Sequence, residues 1–371
     1  MMNDRLKEIP HQILEEAQKA GMTKDNRSGT LFHIDQSTIF SQVNEFYEDK
    51  LEITDIKDAL KKYDWLKNYT WNLVDPDKDE FTRRVKEEYS GGYFIRIKPG
   101  AEVTFPLQSC LMITIPNTEQ RVYNVVIAEE ASKANIITSC VQHGHASKGA
   151  HLGVTEIFVK KDAKLNYTMI HHWSEETTVR PRSAAKIERG GEFVSNYVCM
   201  RPVKDVQMYP EAICEGDNSK VSFNSILFGL SGSNMDIGSK AVLKGNNSSS
   251  EMITRAIAKK DSKIIVKGLI DGDNESCKGH LECRGLILDE EAYIRSIPEL
   301  IARKRGANIT HEAAVGEIPE EKIVYLMTRR MSRDEAVSTI IRGFMDVGIM
   351  GLPDELSKEI KRIVDLAADA D

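Results

Sequence analysis

The chain has 371 residues, 41% apolar and 29% charged, with a formal net charge of −7. That length fits one large domain with appendages or two domains, and the apolar share is enough for a sizeable core. The negative balance argues against a sequence-independent grip on phosphate backbones, so nucleic acid is not an expected partner.

Residues 1–90 read as a mostly helical region. Leu6, Ile9, Ile13, Leu14 and Ala17 share one face of a first helix. Trp65, Tyr69 and Trp71 make an aromatic-rich stretch expected to pack on its neighbour. The run from Gly91 to Gly100 alternates apolar and polar residues and opens a β region taken as 91–312.

Turn-like breaks begin at Ala131, Asp162, Gly190, Asn218, Asn247, Asp261, Asn274, Glu290 and Gly306. Their spacing is a unit of about 14 residues, often doubled to about 28, which marks a repeat architecture. The segments between them alternate as strands do: Leu165, Tyr167, Met169; Phe193, Ser195, Tyr197; Val221, Phe223, Ser225; Ile264, Val266. Two-strand rungs stacked on one another would bury one side of every strand, with Gly, Asn and Asp turning the corners. The expected fold is mainly β, with a right-handed parallel β-helix at its centre; a β-sandwich built of hairpins is the rival.

Residues 313–371 turn helical. Ser332 and Glu335 form a capping box ahead of a helix with Val337, Ile340, Ile341, Phe344 and Val347 on its apolar positions. Gly348 and Gly351 stop it, Pro353 can start another, and Leu356, Ile360, Ile363, Val364 and Ala367 line that last helix. A helical hairpin this small must pack on the β region or offer a surface to a partner.

No apolar run approaches the ~20 residues that cross a bilayer, and no signal-peptide core opens the chain, so a cytoplasmic protein without membrane contact is expected. The six cysteines, at 110, 140, 199, 214, 277 and 283, form no C-x-x-C pair and are expected to be thiols.

Two stretches carry the most chemistry: Cys214 through Lys220, and Cys283 with His311-Glu312. Because 311 − 283 = 28, one inferred rung, Cys283 and His311 are expected to stack about 4.8 Å apart on adjacent coils, with Glu312 beside them. Thiolate, imidazole and carboxylate together suit iron, copper or zinc better than magnesium or calcium. The plainer reading keeps each cysteine as a small buried hydrophobe and His311 as a polar residue at a domain edge. His143, His145, His151, His171 and His172 resemble a metal cluster by count, but exposed histidines around a corner are the expected account. No G-x-x-x-x-G-K-[ST] run exists, so the chain offers no P-loop.

The Cys214–Lys220 run, the Cys283 strand, the stretch from Thr310 to Gly316 and the helical tail resemble the SufB/SufD family, scaffold proteins of Suf-type iron–sulfur cluster assembly. The resemblance covers most of the chain and is best from about residue 120 to 350. It implies that Cys214 receives persulfide sulfur and that Cys283 builds the nascent cluster, with His311 and Glu312 at the same site. The cargo implied is a transient iron–sulfur cluster, 4Fe-4S or 2Fe-2S; on a flavin electron source the sequence is silent. The implied partners are a SufC-like ABC ATPase docking on the tail (Ser332, Glu335, Ile340, Ile341, Phe344), a cysteine desulfurase or other sulfur donor, and recipient apoproteins.

Ala292 stands where many SufB sequences carry a further cysteine, and the segment from Gly316 to Arg330 is closer to SufD. This implies a combined SufB/SufD homologue that pairs with itself, or a SufB/SufD-type heterodimer. The resemblance points to a scaffold rather than an enzyme. The alternatives are an interaction module of an ABC ATPase without cluster chemistry, and a β-helix carbohydrate-active enzyme, which would need paired carboxylates along an open groove.

Overall fold

Ala131, Asp162, Gly190, Asn218 and Asn247, each at a break in the sequence pattern, all take positive φ, between 54° and 67°. Left-handed backbone turns the chain sharply, so each break is a corner and the alternating segments between corners run as straight strands. A computed structural model, which describes residues 9–23, 26–144, 146 and 148–345, stacks these strands into a parallel β-helix with two walls.

The first wall opens with an antiparallel pair, Ser37–Val43 on Gly29–Ile34. Parallel strands then follow from Leu107–Ile113 through Lys133–Gln142, Lys164–His172, Glu192–Cys199, Lys220–Gly229, Ser249–Ala258 and Lys278–Ile287 to Asn308–Gly316. The second wall starts with Leu51–Asp55 antiparallel to Tyr93–Ile97 and ends at Tyr293–Ala302. Lys133 pairs with Lys164 and Lys164 with Glu192, so one turn is 31 residues (164 − 133) and the next 28 (192 − 164). The half-spacing of the breaks is one strand per wall, as two-strand rungs require.

Inward residues from both walls form one continuous core running from Leu31 and Tyr47 to Cys283 and Ile294. Two further clusters lie on the outer faces. Helix α1 (His11–Lys19) packs Ile9, Ile13, Leu14 and Ala17 over the outside of the first wall, as its apolar face predicts. Outside the second wall, α2 (Ile56–Lys62), α3 (Glu80–Glu87) and the aromatic stretch with Trp65, Tyr69 and Trp71 cover Phe94, Tyr123 and Phe158. The buried Glu156 carboxylate fastens that stretch by accepting from the backbone N–H of Trp71, Leu73 and Val74 and from the Tyr123 hydroxyl.

The N-terminal ninety residues depart from the helical expectation, because three strands between Gly29 and Asp55 close that end of the helix. Thr30, His33 and Asp35 are buried there, the latter two with side-chain partners, which breaks the apolar alternation that marks strands elsewhere. The other end behaves differently: Tyr293–Ala302 and Asn308–Gly316 each pair on one side only.

After the last strand come α4 (Glu320–Met327) and α5 (Arg333–Met345). The capping box is present, with Ser332 N–H donating to Glu335 Oε2 at 2.7 Å and Glu335 N–H to Ser332 Oγ at 3.2 Å. The helix predicted over Leu356–Ala367, together with Gly348, Gly351 and Pro353, lies outside the described residues.

Candidate functional site at the open end of the helix

Cys283 lies mid-strand in Lys278–Ile287, where Gly279, Leu281, Cys283 and Gly285 alternate inward. It is 1% exposed. On its own wall Thr254 sits one coil below and Ala313 one coil above. Across the lumen, a Cβ on Gly268 would lie 2.1 Å from Leu281 Cδ1, and one on Gly285 would lie 3.0 Å from Ile294 Cδ1. The facing walls run in opposite directions, so these two contacts set Cys283 opposite Val266 and Ser296. Burial pushes the Cys283 thiol up, while the Ser296 hydroxyl and the Arg255 charge pull it back.

The last turn is 30 residues rather than 28, because Cys283 pairs with Ala313 (313 − 283). His311 is therefore level with Leu281, two residues or about 7 Å along the strand from the Cys283 row. It still shares the inward parity and is exposed, since no coil covers it. Glu312 pairs with Glu282 on the outer face and forms an ion pair with Arg284 at 3.1 Å, in a ladder that continues through Glu282 to Arg255. The expected convergence of thiol, imidazole and carboxylate is thus not formed within one protomer. Among the described residues, no three His, Cys, Asp or Glu side chains are placed to hold a metal ion.

Cys214 ends the strand Glu211–Cys214 at a corner, fully buried. Burial pushes its thiol up to about 12, against a smaller opposing pull from Ser219. A sulfur-accepting thiol must be reachable and ionised, and in this conformation Cys214 is neither. The tail residues are also turned differently from expectation. Ile341 is fully buried and Phe344 half-buried on the outside of the first wall, so the apolar face of α5 is used by the protein itself. The exposed apolar residues belong to α4: Val324, Tyr325 and Met327.

One interior constellation escaped the sequence reading. Cys140, His171 and Cys199 pair in register on three successive coils of the first wall, all inward and buried. Tyr197 OH lies 2.9 Å from His171 Nδ1, and Trp173 packs against both His151 and His171. His151 and His171 are each 2% exposed, not the solvent-facing corner residues expected. Their parity with Tyr167 and Met169, and rung intervals of 31 (171 − 140) and 28 (199 − 171), were the available signals.

The SUF system FeS cluster assembly SufBD core domain matches residues 112–344, which takes in Cys140, Cys214, Cys283, His311 and both tail helices. An iron-sulfur cluster assembly SufBD family protein of Archaeoglobus fulgidus is 47% identical over 364 residues, covering 98% of this chain and 94% of the relative. The chain belongs to the SufBD family. A SufBD family protein of Methanothermobacter thermautotrophicus is 42% identical over 369 residues, covering 98% of this chain and 89% of the relative. One from Pyrococcus horikoshii is 27% identical over 369 residues, covering 98% and 82%. The SufBD match spans both the parallel coils and the exposed last turn, so fold and candidate site lie within one family domain.

Proposed function

We propose that this SufBD protein is a non-catalytic scaffold on which iron–sulfur clusters are assembled, as cargo, before transfer to recipient apoproteins. Family membership supports the general role. The observation that carries the finer reading is the place of Cys283: an inward thiol beneath the last, uncovered coil, shielded by the core on one side and approached only through the open end. That position suits a cluster-building thiol, which needs a soft anionic donor protected from bulk oxidants.

Among the described residues one protomer groups too few ligands, and its final strands present unpaired edges. Self-association across those edges would pair them and bring a second Cys283, His311 and Glu312 to the same place. A sulfur donor of the cysteine desulfurase type delivers sulfane sulfur to Cys214. The thiolate attacks the outer sulfur of the donor persulfide, Cys214 becomes the persulfide, and the donor leaves as thiolate, so no electrons are needed at that step. The corner from Glu215 to Ser219 must open for it, and sulfur then travels inside the helix to Cys283. An ABC-type ATPase drives such opening from the helical tail, where Val324, Tyr325 and Met327 offer exposed apolar surface beside Ser332 and Glu335. No helix among the described residues is long and apolar enough to cross a membrane, in keeping with work in the cytoplasm.

Anaerobic incubation with iron, sulfide and reductant gives visible charge-transfer absorption in the wild-type protein and none in Cys283→Ser if the reading holds. Undiminished persulfide loading of Cys283 in Cys214→Ser would refute the relay. A second reading is an ATPase-binding module without cluster chemistry, for which the described residues' want of a three-ligand group speaks; full function in Cys283→Ser would establish it.

A further inference from the structure

Two buried side-chain nitrogens that lack a hydrogen-bond partner among the described residues are neighbours inside the lumen: His171 Nε2 and Trp173 Nε1. Their rings meet edge to face with centroids 5.6 Å apart, and the residues are 2% and 4% exposed. The His151 ring, carried by Gly149–Val159 of the second wall, packs on Trp173 at 5.0 Å. Gln120 turns its amide nitrogen to the carbonyls of Asp35 and Met112, so its oxygen faces His151 Nδ1, which carries the ring proton. His151 Nε2 is therefore a bare lone pair, and it lies beside Gly153, where a Cβ would come within 3.0 Å of it. Buried donors and acceptors are nearly always satisfied, by ordered water where protein groups do not reach.

We propose that one ordered water molecule is bound among these three rings, accepting from Trp173 Nε1–H, donating to His151 Nε2 and bonding His171 Nε2. The donor and acceptor inventory decides the class of guest. An indole nitrogen has no lone pair to give a metal ion, and no three ligating side chains come together among the described residues. An anion would meet the His151 lone pair with no compensating charge, since burial keeps both histidine rings neutral. A small molecule that both donates and accepts fits all three nitrogens, and about three hydrogen bonds are usual for an internal water. Tyr197 OH holds the other nitrogen of His171 at 2.9 Å. The water thus closes one chain across the lumen, from the Gln120 amide at the N-terminal closure through His151 to His171 and Tyr197 on the first wall. The site stands independently of the scaffold reading.

A crystal structure of the full wild-type chain, at a resolution that shows ordered water, tests it. One oxygen should lie within about 3.2 Å of Trp173 Nε1, His171 Nε2 and His151 Nε2. In solution, the Trp173 indole N–H should give a cross-relaxation peak at the water frequency. Trp173→Phe identifies that signal among the three tryptophans by its loss. If Trp173→Phe does not fold, Trp65→Phe and Trp71→Phe assign it by elimination. Absence of the density, or a protein acceptor for the Trp173 N–H in its place, would overturn the proposal. So would a peak with anomalous signal after a bromide soak or at a transition-metal edge, because the guest would then be an ion.

Discussion

Three histidines are buried as neutral rings, and this makes the fold sensitive to mild acid. Burial lowers His33 to about 4 and His151 to about 3, and pushes His171 well below the usual value of 6.5. His33 has both ring nitrogens occupied, at 3.0 Å from Thr38 Oγ1 and 3.1 Å from Ser90 Oγ. His151 Nδ1 lies 2.9 Å from Gln120 Oε1, whose amide nitrogen donates to two carbonyls, so the His151 proton is on Nδ1. A depressed pKa in a base means that the unfolded chain binds protons the folded chain refuses. Stability is therefore full above about pH 6.5 and falls as pH drops toward about 4, where His33 begins to titrate in place. Between pH 7.5 and 5.0 each ring costs about 2 kcal/mol, or about 6 kcal/mol for the three. That is a large part of the ~5–15 kcal/mol typical of a domain. Denaturant titrations at stepped pH, followed by the fluorescence of Trp65, Trp71 and Trp173, measure it. A midpoint flat from pH 7.5 to 5.0 would refute the burial of these rings as neutral groups. Replacing His151 with Gln should remove about a third of the slope.

Other perturbations probe other parts of the molecule. Ala at Gly245 would place a Cβ 1.9 Å from the carbonyl oxygen of Gly216 on the adjacent corner. The coils must part there, at a cost of at least about 2 kcal/mol by chemical denaturation. Glu156→Ala strands the backbone donors of Leu73 and Val74, while the Trp71 N–H keeps the Tyr123 hydroxyl as acceptor, and should cost about 3 kcal/mol, with fast amide exchange confined to residues 73 and 74. Val315→Lys puts a charge on the inward side of the last strand; if copies associate edge to edge as proposed, it abolishes that association by light scattering while leaving the circular dichroism of the monomer intact.

The β-helix was legible because its corners are chemically unusual. Asp162, Gly190, Asn218 and Asn247 tolerate left-handed backbone, and their spacing counts the coils directly. The tail signal was equally local, and Ser332 and Glu335 cap α5 as their spacing implies. What failed needed the third dimension. The turns lengthen from 28 residues to 29 and then to 30 (313 − 283), which moves His311 off the Cys283 row, and a uniform rung of 28 does not register such one-residue additions at separate corners. Glu312 was grouped with His311 because they are adjacent in sequence, yet adjacent strand residues face opposite ways, and Arg284 holds the carboxylate outside. The closing strands at the N-terminal end were missed because Thr30, His33 and Asp35 are polar residues that are nonetheless buried. The apolar face of α5 was read correctly as a surface in need of cover, but the cover is the protein's own first wall.

Mössbauer spectroscopy of the iron-57-enriched protein, purified anaerobically, tests the scaffold reading most directly. Wild type should show the quadrupole doublets of a sulfur-ligated cluster, and Cys283→Ser purified identically should lack them. A Cys283→Ser spectrum indistinguishable from wild type would mean that the open end of the helix is not where the cluster is built.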